Sequence, residues 1–85
     1  MELRFTRSFE IEYKKLIKGN KTLKKRIRKQ LQLLQIRTSH PSLRLHKLGS
    51  GKYWSISVDK SIRVLIIIEE KWIYIYHIGK HEDIY

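Results

Sequence analysis

The residues best suited to chemistry are two histidines, an arginine and a terminal tyrosine. His46 and His81 carry imidazoles, the side chains that exchange a proton near neutral pH and serve as general acids and bases. Arg63 interrupts the otherwise aliphatic run Ile62-Arg63-Val64-Leu65-Ile66. Its planar fork suits bidentate contact with a phosphate better than packing. The chain closes on His77-Ile78-Gly79-Lys80-His81-Glu82-Asp83-Ile84-Tyr85, whose last aromatic can stack on a base or hold a phosphate. Lys47 and Lys52 are further candidate phosphate contacts. Cysteine is absent, acids are few, and no His/Asp/Glu set has ligand spacing, so neither a metal nor another cofactor is expected.

The charge distribution points the same way. The chain has 85 residues with 19 Lys and Arg against 8 Asp and Glu, a formal net charge of +11. No acid lies between Glu12 and Asp59, an interval that holds Lys14, Lys15, Lys18, Lys21, Lys24, Lys25, Arg26, Arg28, Lys29, Arg37, Arg44, Lys47 and Lys52. A surface that needed only solubility would carry compensating acids. This field draws polyanions, and release of their counterions favours binding. Nucleic acid or the ribosome is the expected partner, ahead of an anionic membrane surface. Within the basic stretch, Lys24, Lys25 and Arg28 are expected to dock on RNA backbone without reading sequence.

The length suits one domain, 1–85, with one modest core that a covering partner would help to stabilise. The start, Met1-Glu2-Leu3-Arg4-Phe5, lacks the apolar stretch of a signal peptide, and the longest apolar run, Val64–Ile68, is too short to span a membrane. A soluble, cytoplasmic protein is expected.

The elements that must position the candidate residues follow from periodicity. Leu3–Phe5 suits a short edge strand. Thr6 or Ser8 can cap a helix with Phe9, Tyr13, Leu16 and Ile17 at helical spacing, ended by Gly19-Asn20. A second helix is predicted from about Lys21 to about Arg37, with Leu23, Ile27, Leu31, Leu34 and Ile36 as its buried stripe. Thr38-Ser39-His40-Pro41 breaks the pattern, after which the period becomes two. Leu43, Leu45 and Lys47 alternate with Arg44 and His46; Trp54, Ile56 and Val58 alternate with Tyr53, Ser55 and Ser57. Turns at Gly49-Ser50-Gly51, Asp59-Lys60 and Glu69-Glu70-Lys71 separate these from strands Ser61–Glu69 and Trp72–Ile78. The fold class is α+β: an N-terminal strand and an antiparallel two-helix hairpin packed on one face of a mainly antiparallel sheet. The other face would then carry Arg44, His46, Tyr53, Ser55, Ser57, Arg63, Tyr74 and Tyr76, a basic and aromatic surface on which bases stack and phosphates are held.

Three stretches resemble the RelE/ParE toxin superfamily, especially RelE/StbE and YafQ-like ribonucleases. They are His40-Pro41-Ser42-Leu43-Arg44-Leu45-His46-Lys47-Leu48; Tyr53-Trp54-Ser55-Ile56-Ser57-Val58-Asp59 with Ile62-Arg63-Val64-Leu65-Ile66; and Ile78-Gly79-Lys80-His81-Glu82-Asp83-Ile84-Tyr85. The resemblance covers nearly the whole chain. It implies the toxin of a type II toxin–antitoxin pair, an mRNA interferase that inhibits translation by cutting mRNA on the ribosome without metal. It also implies a hetero-oligomeric complex with an antitoxin. The implied reaction is attack of the 2′-hydroxyl on the adjacent phosphorus, leaving a 2′,3′-cyclic phosphate and a 5′-hydroxyl. It needs a base, an acid and positive charge on the phosphate.

By the same resemblance, His81 stands at the C-terminal catalytic histidine, His46 at a second histidine and candidate base, Arg63 at the arginine on the scissile phosphate, and Tyr85 at the terminal aromatic. Lys80 departs from the small hydroxyl residue common before the histidine, His77 stands where acids are frequent, and no residue matches the mid-sheet histidine, near Ser57 or Val58. A ParE-like gyrase poison of the same fold, or a non-catalytic RNA-binding module, would share the charge without needing these residues to react.

Overall fold

The computed structural model describes residues 1–84; Tyr85 lies outside the described residues. The element order is β1 (Glu2–Phe5), α1 (Arg7–Ile17), α2 (Lys21–Ile36), a 3-10 turn (Pro41–Leu43), β2 (His46–Lys47), β3 (Tyr53–Ser57), β4 (Ile62–Ile68), β5 (Trp72–Lys80) and α3 (His81–Ile84). Among the described residues the strands form one sheet in the order β1-β5-β4-β3-β2. Only the β1–β5 pair is parallel. The α+β class, the N-terminal edge strand and the helical hairpin are as the sequence predicts.

Thr6 is the cap of α1: its hydroxyl accepts from Phe9 N at 3.1 Å and donates to Tyr76 O at 2.7 Å, so it also fastens the helix to β5. Asn20 caps α2 by accepting from Leu23 N, after Gly19 has turned the chain at φ +69. Leu23, Ile27 and Leu34 enter the core, where they meet Phe9, Ile56, Val64, Ile66, Ile73, Ile75 and Ile78. Ile36 does not join them and is 83% exposed. Two residues beyond Leu34, it sits on the opposite side of the helix. Gln30 takes a core position instead, donating through Nε2 to Ser57 O at 2.8 Å and Ser42 O at 3.1 Å.

The strand expected from Leu43 is shortened to His46–Lys47. His40 Nδ1 accepts from Ser42 N, Pro41 opens a 3-10 turn that buries Leu43, and Arg44 closes it in the left-handed region at φ +47. A period-two pattern cannot continue through that conformation.

A bulge in β5 changes what the open face presents. Leu65 pairs with His77 but Ile66 pairs with Ile75, leaving Tyr76 as the extra residue. Ile73 and Ile75 face the helices before it and Ile78 after it, so the inward parity shifts by one. Beyond Ile75 no strand among the described residues lies beside the outer edge of β5, because β1 ends at Phe5. Thr6 N donates to Ile75 O, and the Glu12 carboxylate accepts from Ile78 N at 3.2 Å and lies 3.2 Å from His77 Nδ1. Glu12 therefore satisfies an edge amide that the sheet leaves unpaired.

Candidate functional site

The open face divides into an aromatic half and a basic pole. Toward one end, Tyr53, Ile67, Tyr74 and Arg4 lie in one cross-strand row. Tyr53 meets Tyr76 edge-on at 5.7 Å, Trp72 meets Tyr74 at 6.3 Å, and Arg4 stacks 3.9 Å over Trp72. Ile67, buried beneath this layer, is the small apolar floor that the alternation assigned to the core stretch did not reveal. Trp72 and Arg4 add to the predicted set of this face.

At the other end lies Arg63, between Ser57 on β3 and Gly79 on β5. Gly79 has no side chain to cover the guanidinium. Arg63 Nη2 donates to Ser55 Oγ at 2.8 Å and to the Arg44 carbonyl at 3.1 Å. Arg63 Nε is buried without a hydrogen-bond partner among the described residues. Ser55 and Ser57 share the open face by register but are buried, at 0% and 9% exposed, rather than solvated as expected. The Ser55 hydroxyl accepts from Arg63, and the Ser57 hydroxyl turns back to Asp59 O at 2.9 Å.

His46 pairs with Ser55 across β2–β3, which puts it on the same face directly opposite the arginine's hydroxyl partner and one open-face row from Arg63. His81 begins α3 directly after Lys80, which pairs with Ile62, and its amide donates to Ser61 O at 2.9 Å. Arg63 and the start of α3 at His81 thus belong to one end of the sheet, and His46 lies one open-face row from Arg63. Lys47 pairs with Trp54, on the helix-side face, with its ammonium 5.8 Å from the indole; Lys52 lies 5.9 Å from the Tyr53 ring at the aromatic half. Neither is adjacent to Arg63. Tyr85, the fourth candidate, lies outside the described residues. Among the described residues no group of three or more His, Cys, Asp or Glu is placed to hold a metal.

Lys24, Lys25 and Arg28 are all exposed on α2. Arg28 lines a groove beside β1 and α1, away from Arg63. The α2 cations on the flank toward Arg44 are Arg26 and Lys29, which the sequence reading did not single out. The sequence does not mark them: both adjoin Gln30, whose place in the core depends on the distant Ser42 and Ser57 carbonyls. The first turn of α2 has no acid and its last turn no base, so its charges oppose rather than complement the helix dipole. That arrangement costs some helix stability.

Asp59 is the structural acid of this end. Its Oδ1 accepts from Ser61 N and Ile62 N, each at 2.8 Å, and its Oδ2 lies 3.8 Å from Arg26 Nη1. Burial alone would raise its pKa, but the hydrogen bonds from Ile62 and Ser61 together with the Arg26 charge outweigh it, and the carboxyl is held below its usual range. A depressed folded pKa contributes stability above the unfolded value, about 3.9, that is lost as pH falls through the folded one. Asp59→Asn should therefore destabilise the protein at neutral pH. The gap from wild type should close below about pH 4 in urea midpoints measured across pH.

This architecture of two helices on a five-stranded mixed sheet is the RelE-like α+β fold. It superposes on the E. coli DinJ–YafQ toxin–antitoxin complex with a TM-score of 0.82 at 16% identity, over 99% of this chain and 96% of that one. It also superposes on a YoeB/ParE toxin from Agrobacterium tumefaciens with 0.82 at 14% identity, over 95% and 99%. The match to the Staphylococcus aureus YoeB–YefM complex is 0.78 at 20% identity, over 95% and 97%. No protein-family model and no curated sequence matches the chain. Among the described residues no helix is long and apolar enough to cross a membrane.

Proposed function

We propose that this protein is the toxin of a type II toxin–antitoxin pair, acting in the cytoplasm as a ribosome-dependent mRNA endoribonuclease. The observation that carries the reading is Arg63: a guanidinium in a sheet interior, held by Ser55 and the Arg44 carbonyl, one open-face row from His46 and at the end of the sheet where α3 starts with His81. In the reaction, Arg63 neutralises charge growing on the scissile phosphate. His46 removes the 2′-hydroxyl proton as oxygen attacks phosphorus. His81 gives a proton to the leaving 5′-oxygen, and Tyr85 stacks on a base. No metal enters this scheme. The exposed cations of α2, Lys24, Lys25 and Arg28, serve ribosome docking, and Lys47 and Lys52 add to the attraction for RNA. Solved toxin–antitoxin complexes of the same fold support an antitoxin as the resident protein partner.

Primer extension on translated mRNA tests the reading. Wild-type protein should produce cuts within codons, and His81→Ala should lose roughly 10²–10⁴-fold of that cutting, the usual range for one acid–base group. The YoeB/ParE neighbour keeps a second reading open, a gyrase poison. Gyrase-linked DNA breaks without mRNA cuts would establish it instead.

A further inference from the structure

A second basic site lies beside Arg63, and of the described candidate catalytic residues, His46, Arg63 and His81, none lines it. It is a cleft of about 650 Å³ between α2, the 3-10 turn and the β3–β4 turn, walled by Arg26, Lys29, Arg44 and Lys60. Its one acid, Asp59, is already occupied by two backbone amides and Arg26. The Gln30 amide beneath it is spent on two carbonyls. The cationic excess is therefore not neutralised within the cleft.

The cleft and Arg63 share a wall. Arg44 sends its carbonyl to Arg63 Nη2 while its side chain lines the cleft, and the residue holds a left-handed conformation, φ +47, that a non-glycine residue adopts at some cost. Ser57, also in the cleft, is the β3 neighbour of Arg63. Among the described residues the cleft lining contains no aromatic ring, whereas Tyr53, Tyr74 and Trp72 gather at the opposite end of the open face. Rings stack bases and cations hold phosphates, so the two ends suit different parts of one strand.

We propose that this cleft binds the backbone phosphate of the RNA strand next to the one held by Arg63, so that two neighbouring phosphates fix the register of the strand. The inference rests on the ribonuclease reading and adds to it a phosphate subsite formed by Arg26, Lys29, Arg44 and Lys60.

The test is binding of a fully 2′-O-methylated RNA hexanucleotide, which this chemistry cannot cut, followed by fluorescence anisotropy between about 50 and 200 mM salt. Three proteins are compared: wild type, Lys29→Ala/Lys60→Ala, and Lys14→Ala/Lys15→Ala, which removes the same charge from α1. Thermal melts establish that all three are folded. The cleft variant should bind about tenfold more weakly, the order of one charge-assisted contact, with a log–log salt slope shallower by about 0.7, the value for one single-strand phosphate. The α1 variant should stay within about twofold of wild type. Equal losses in the two variants would overturn the inference. So would normal hexanucleotide binding with weakened ribosome binding, which would give the cleft to ribosomal RNA. If wild type itself fails to bind the hexanucleotide but the cuts in mRNA persist, the cleft inference falls and the ribonuclease reading stands; if the cuts are also absent, both fall.

Discussion

Arg63→Ala is expected to lose roughly 10²–10³-fold in mRNA cleavage, the cost of removing one preorganised group that stabilises charge in a transition state. The fold should survive it. The Arg63 guanidinium makes two hydrogen bonds through Nη2, but its Nε is buried without a partner among the described residues, and an unsatisfied buried donor costs about 1–3 kcal/mol. Removing the side chain removes that penalty along with the two bonds, so the urea midpoint should move little. An arginine kept for stability would give the reverse pattern, a large shift in midpoint. Arg63→Lys should recover only part of the rate, because an ammonium is a point charge and cannot hold Ser55 Oγ, the Arg44 carbonyl and a phosphate through one planar fork. Cleavage rates and urea midpoints on the same preparations decide between the two.

Gln30→Leu is expected to destabilise the protein by about 1–3 kcal/mol, because it leaves the buried Ser57 carbonyl without its donor and loosens the Ser42 carbonyl. Leucine matches the apolar stripe of Leu23, Ile27 and Leu34, so a periodicity argument alone would predict a gain. The same amide ties α2 to the turn that ends in Arg44, whose carbonyl holds Arg63. Activity should therefore fall by more than the population of unfolded protein accounts for. Gln32→Leu, an exposed position on the same helix, should change stability by no more than about 0.5 kcal/mol and leave cleavage unchanged. Chemical denaturation of both variants is the direct check.

The contrast between Gln30 and Ile36 shows where the sequence is legible. Helical spacing and capping residues locate α1 and α2 because each rests on local chemistry: Thr6 and Asn20 satisfy free amides, and the apolar stripe must face the sheet. Placing Ile36 in that stripe extends an apolar count past the point where the helix turns away from the core. A buried glutamine is legible only through partners, and Ser42 and Ser57 lie far along the chain. Strand parity identifies the open face, yet it cannot show that Ser55 on that face is fully buried. The bulge at Tyr76 leaves one trace, the three-residue step from Ile75 to Ile78 in an otherwise alternating strand. Arg44 is the least legible, since nothing marks an arginine for the left-handed region; the conformation follows from the turn begun by Pro41 and from the contact with Arg63. The candidate site shows the same division. His46 and Arg63 stand out by residue type and strand register, whereas Arg26 and Lys29 depend on which flank of α2 the 3-10 turn covers.

The most direct measurement of the central claim is the chemistry of the cut ends. Purified protein, ribosomes and a translated mRNA are incubated with a metal chelated to the level that keeps ribosomes intact, and the fragments are end-mapped. The downstream fragment should accept phosphate from polynucleotide kinase without prior dephosphorylation, and the upstream fragment should carry a 2′,3′-cyclic phosphate. Fragments with 5′-phosphate ends, or intact mRNA beside gyrase-linked DNA breaks, would contradict the account.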